Sequence, residues 1–81
     1  MTSRQKLAER VRTCPSDLKW LELVRFLEML GYREHSRSGS RRAFIGEGLP
    51  RLRLHRPHPA DIVKQYVIRQ VLETLEQEKV I

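Results

Sequence analysis

Apolar positions follow a period of 3.6 residues at the two ends of the chain and a period of two in the middle. In residues 4–13, Leu7, Ala8 and Val11 mark one face of a short helix. Cys14-Pro15 ends it, because a residue before proline is pushed out of helical geometry. A second helix is predicted over residues 19–30, with Trp20, Leu23, Val24, Leu27 and Leu30 as its stripe and Phe26 and Met29 widening it. Asp17 or Ser16 is the expected cap, and Gly31 the expected stop.

From Tyr32 to Pro57 the alternation changes to strand spacing. Residues 32–37 form a first predicted strand, followed by a Ser38-Gly39 turn. Residues 40–45 form a second strand, and Gly46-Glu47-Gly48 a tight connection to a third at 49–55. In that third strand Leu52 and Leu54 face one way, and Arg51, Arg53 and His55 the other. Arg56-Pro57-His58-Pro59 is a stiff connector, since each proline fixes φ and removes a donor. A last helix is expected from Asp61 to about residue 78, burying Ile62, Tyr66, Val67, Val71, Leu72 and Leu75. The order α-α-β-β-β-α predicts an α+β fold, a three-stranded antiparallel meander with helices on one face. The 81 residues make a single domain, with 1–15 an appended N-terminal helix and 16–81 the core.

Composition sharpens this picture. A chain this short buries only about 60–65% of its unfolded surface, so chemistry is expected on an exposed face rather than in a deep pocket. No apolar run approaches the ~18–20 residues that span a bilayer. The start MTSRQKLAER has no apolar stretch behind its basic residues, so it does not read as a secretory signal. A single cysteine, Cys14, has no internal disulfide partner, and a cytoplasmic chain is expected.

Charge points to a partner. Sixteen basic residues against ten acidic ones give +6, and twelve of the sixteen are arginine. Arginine presents a planar fork that grips phosphate in a bidentate way, which lysine does not. Seven arginines (33, 37, 41, 42, 51, 53 and 56) crowd the strand region against only Glu34 and Glu47. A polyanion such as nucleic acid fits that balance, and a solvated basic surface is the plainer alternative.

Candidate chemistry is narrow. His55-x-x-His58 holds two imidazoles, but Pro57 denies them a helical face, and only His35 and the lone Cys14 remain as further ligands. No metal site and no cofactor are expected. Paired carboxylates, a Ser-His-Asp set and phosphate-binding glycine fingerprints are missing from the strand region. What remains is imidazole among guanidiniums, a set suited to RNA cleavage. A neutral histidine takes the 2′-hydroxyl proton, and arginine stabilises charge on the attacked phosphate. If the second hairpin folds about Glu47, position 41 faces position 53 and His55 lies diagonal to Arg41. Each of His35, His55 and His58 also has an ordinary structural or surface reading.

The order of elements and several short motifs resemble HicA-type toxins, the mRNA interferases of type II toxin–antitoxin pairs. The likeness runs from about Leu18 onward. A helix ends in Leu30-Gly31-Tyr32, Gly39-Ser40 opens the second strand as in the family's Gly-Ser-His motif, and His58-Pro59, Lys64 and Arg69 follow at the family's spacing. The resemblance implies a fold like a double-stranded-RNA-binding domain, ribonuclease activity on mRNA, and neutralisation by a HicB-type antitoxin. One departure is specific: the position of the family's catalytic histidine, directly after Gly-Ser, is Arg41 here. Arginine stays protonated and is no general base. The base is therefore expected to be His55 or His58, with Arg41 holding phosphate. Arg37, Ser40, Arg42, Arg51, Arg53, Arg56 and Lys64 are the expected RNA contacts. A non-catalytic RNA-binding module, or a basic domain that docks an acidic protein, are the alternatives.

Overall fold

The computed structural model describes residues 3–81. Three helices, α1 (Ser3–Arg12), α2 (Trp20–Met29) and α3 (Gln65–Gln77), accompany three strands, β1 (Arg33–Ser36), β2 (Arg41–Ile45) and β3 (Leu52–His55). The element order is the expected α-α-β-β-β-α, and the strands form an antiparallel sheet in the order β1-β2-β3. The core gathers Trp20, Leu23, Phe26 and Leu27 of α2, Phe44 and Leu52 of the sheet, and Ile68, Val71 and Leu75 of α3. Trp20 and Phe44 meet at a ring-centroid distance of 5.8 Å with planes tilted by 55°, an arrangement worth about 0.5–1.5 kcal/mol beyond the area it buries.

The α1 helix is fastened by packing and charge together. Val11 is fully buried, with Leu7 and Ala8 against the core. Arg10 Nε donates to Glu22 Oε2 at 2.7 Å, and Arg10 Nη2 reaches Asp17 Oδ1 at 3.2 Å. The guanidinium holds the Glu22 carboxyl below its usual range, helped by the Lys19 backbone N–H.

Several boundaries differ from expectation, each for a physical reason. The cap of α2 is neither Asp17 nor Ser16: helix α2 starts after Lys19, whose N–H donates to Glu22 Oε1 at 3.0 Å. The last helix starts at Gln65 rather than Asp61. The Trp20 N–H donates to the Asp61 carbonyl at 2.9 Å and the Val63 N–H to the Leu18 carbonyl at 2.8 Å, so residues 61–63 pair in extended form with the approach to α2. Ile62 is thus half-buried in a bridge and not on a helix. Tyr66, expected in the buried stripe, is 56% exposed, and Val63 and Ile68 fill the core in its place.

The strands are shorter than their alternating segments, and the β2–β3 loop is correspondingly longer. Leu49 does not begin a strand but folds back over Gly31 and Gly46, where a Cβ on Gly46 would stand 2.5 Å from Leu49 Cδ1 and 2.7 Å from the Gly31 carbonyl oxygen. Tyr32 Oη donates to the Pro50 carbonyl at 2.6 Å and pins the same loop. As a result Arg41 stands opposite His55, and Ala43 opposite Arg53. The expected pairing of 41 with 53 is off by two residues. A shift of two leaves every side chain on its expected face.

Candidate functional site

Residues directly opposite in an antiparallel sheet share a face, and that rule separates the sheet into two chemistries. One face carries Glu34, Phe44 and Leu52 in one row and Ser36, Arg42 and Leu54 in the next. Phe44 and Leu52 place this side against the helices. The other face carries His35, Ala43 and Arg53 in one row, and Arg41 with His55 in the next, where the Arg37 N–H donates to the Arg41 carbonyl at 2.9 Å. Arg33 pairs with Ile45 at one end of it. A shallow groove of about 620 Å³ lies on this open side, bordered by Arg37, Arg41, Arg51, Arg53 and His55. Ala43, 4% exposed, is the small residue in the groove's lining.

His55 has a defined neighbour there. Ser40 Oγ lies 3.5 Å from His55 Nδ1, and the Arg56 N–H donates to the Ser40 carbonyl at 2.8 Å, so the end of β3 is tied to the Gly39-Ser40 turn. In the tautomer whose Nδ1–H points to Ser40 Oγ, Nε2 keeps its lone pair. The sheet thus brings together Ser40, Arg41, Arg37, Arg53 and His55 among the expected site residues, with Arg51 at the groove's edge.

Other expected residues stand elsewhere. Arg42 lines the first groove too, but its guanidinium turns to the helix side, with Nε 3.6 Å from Glu34 Oε2 and the side chain only 17% exposed. Its Nη1 donates to the Gly39 and Arg41 carbonyls at 2.8 Å each, and Glu34 also accepts from Trp20 Nε1 at 3.2 Å. Arg56 forms a two-point pair with Asp61, Nε to Oδ1 at 3.3 Å and Nη2 to Oδ2 at 3.2 Å. Asp61 above all, with Glu34 nearby, raises the already high basicity of that guanidinium. Both arginines therefore brace the turn and connector. His58 lies on the connector and borders a second groove of about 510 Å³, shared with His55, Arg53 and Lys64. Among the described residues no group of three or more His, Cys, Asp or Glu gathers as a metal site. No described helix is long and apolar enough to cross a membrane.

A family model described as HicA toxin of bacterial toxin-antitoxin matches residues 20–77, well over half of the 81-residue chain. The chain belongs to the HicA toxin family. The matched span begins at the first residue of α2 and ends at the last of α3, so it takes in the whole sheet and excludes α1. Membership makes this HicA-family chain a toxin with an antitoxin as its counterpart. Comparison with curated proteins gave no match, and neither did comparison with solved structures.

Two residues outside the expected site stand at the second groove. Tyr66, with Gln70 one turn on, borders the second groove beside His55 and His58. A signal for it was present. At 100° per residue, Tyr66 lies roughly opposite the centre of the stripe made by Ile68, Val71 and Leu75, and Gln70 falls on its side.

Proposed function

We propose that this HicA-family toxin is an endoribonuclease that cleaves mRNA without a metal ion, with His55 as general base and Arg41 as the phosphate-holding group. The observation that carries this reading is the direct opposition of Arg41 and His55 on the open, arginine-rich face, with Ser40 Oγ at 3.5 Å from the imidazole. Nε2 of neutral His55 takes the proton of the 2′-hydroxyl, and the oxygen attacks the adjacent phosphorus. Arg41, Arg37 and Arg53 stabilise the extra negative charge that builds on the non-bridging oxygens. The 5′-oxygen then leaves and takes a proton from solvent, giving a 2′,3′-cyclic phosphate and a free 5′-hydroxyl. An open groove suits a single-stranded chain, whose backbone follows the basic face.

Arg51 and Lys64 serve as outlying backbone contacts in this scheme, and His58 lies at the neighbouring groove as an auxiliary group. A HicB-type antitoxin of acidic surface neutralises the toxin by covering the same face, and the toxin acts in the cytoplasm, where its mRNA substrate is found. The arginine at the position after Gly39-Ser40 favours a second reading, a non-catalytic RNA-binding module that keeps the fold and the basic face. Incubation of the purified chain with labelled RNA in excess chelator separates the two. Products ending in a cyclic phosphate, lost in His55→Ala, support the enzyme. Salt-sensitive binding with intact RNA supports the module.

A further inference from the structure

The second groove has a composition unlike the first. It runs between residues 53–60 and the opening turns of α3, and its volume is about 510 Å³, within the range of sites that hold small organic groups. Ile62, Val63 and Val67 supply an apolar lining, while Arg53, His55 and His58 stand around it. Tyr66 is 56% exposed and borders the groove, and it is one of only two large hydrophobic side chains exposed among the described residues. Gln70 follows one helical turn later on the same side of α3, also at the groove. The first turn of α3 carries no acidic residue. His55 belongs to the borders of both grooves.

An exposed aromatic ring beside cations and an amide, next to a groove with an apolar lining, matches one class of ligand. A nucleobase has an apolar π-face, a polar edge and an attached phosphate, and aromatic stacking is how single-stranded chains are commonly held. We propose that Tyr66 stacks on a base of single-stranded RNA, with Gln70 facing the base edge, and so positions the phosphodiester next to that base at His55. This rests on the RNA reading given above. The shared border at His55 provides the connection: backbone on the arginine face, one base turned into the neighbouring groove. Tyr66 acts here as a positioning residue, since it meets the base and not the reacting bonds.

The test compares Tyr66→Ala, Tyr66→Phe and the native chain for binding of a short single-stranded RNA, measured across a salt series. Base stacking on an aromatic ring is worth roughly a 5- to 150-fold change in Kd. Tyr66→Ala is expected to weaken binding by about that factor with its salt slope unchanged, because no phosphate contact is lost. Tyr66→Phe is expected to stay within about twofold of native, because the ring remains. A Tyr66→Ala variant that binds like the native chain overturns the stacking role and leaves the RNA reading standing. A Tyr66→Phe variant as weak as Tyr66→Ala overturns it too, by assigning the effect to the hydroxyl. If the native chain shows no salt-sensitive RNA binding, both this proposal and the reading it rests on fail. Since Tyr66 lies outside the packed core, circular dichroism of both variants is expected to match that of the native chain.

Discussion

Arg53 and Arg42 project to opposite faces of the sheet, and their replacement by glutamine gives a direct readout of which face meets RNA. Five arginines line the open groove, Arg37, Arg41, Arg42, Arg51 and Arg53, and the guanidinium of Arg42 is engaged by Glu34, which leaves four to meet phosphate. Each guanidinium that neutralises a phosphate of a single strand contributes about −0.7 to the slope of log K against log salt. Four such contacts give a slope near −2.8, so affinity falls about 50-fold between 50 and 200 mM salt. Arg53→Gln removes one contact, the slope becomes about −2.1, and the same salt step costs only about 20-fold. Arg42 is occupied by Glu34 and two backbone carbonyls on the helix side, so Arg42→Gln keeps the native slope. Fluorescence anisotropy of labelled RNA at four or five salt concentrations resolves the difference. Equal slopes for the two variants, or a larger change for Arg42→Gln, would refute the assignment of the open face.

Three further outcomes test other parts of the account. Gly46→Ala drives a Cβ against the Gly31 carbonyl oxygen and Leu49; at about 1–3 kcal/mol for overpacking, melting is expected roughly 5–20 °C lower, and an unchanged melting temperature contradicts the close approach. Glu22 has its carboxyl held below the ordinary value of 4.5, chiefly by Arg10. A depressed acid stabilises the fold above its unfolded pKa and loses that contribution as pH falls through the folded one. Melting temperature is therefore expected to drop more steeply below about pH 4.5 in the native chain than in Glu22→Gln; parallel profiles would remove the pair from the stability of the α1–α2 junction. A substrate methylated at every 2′-oxygen is expected to bind in the groove yet yield no product, since His55 finds no proton to take; cleavage of that RNA would exclude 2′-hydroxyl attack.

The order of elements, the helix-facing leucines and the outward Arg53 and His55 of β3 are all legible from periodicity, because burial enforces period directly. The hairpin register is not. It depends on Leu49 packing over Gly31 and on Tyr32 reaching Pro50, contacts between loops that no local pattern encodes. The start of α3 departs from its expected place for a similar reason: residues 61–63 pair with Leu18 and Trp20, more than forty positions earlier. Arginine type alone did not separate Arg41, on the open face, from Arg42, beside Glu34. Strand alternation makes that separation once the ladder is known. Tyr66 was readable in principle, since the stripe of Ile68, Val71 and Leu75 already excludes it, but tyrosine's apolar body suits a core as readily as a groove.

The most direct test of the central claim is cleavage of a labelled single-stranded RNA by the purified chain in excess chelator, beside His55→Ala and His58→Ala. The account predicts products ending in a 2′,3′-cyclic phosphate from the native chain, their loss in His55→Ala with RNA binding retained, and a smaller effect in His58→Ala. Undiminished cleavage by His55→Ala, or intact RNA with every protein, would contradict it.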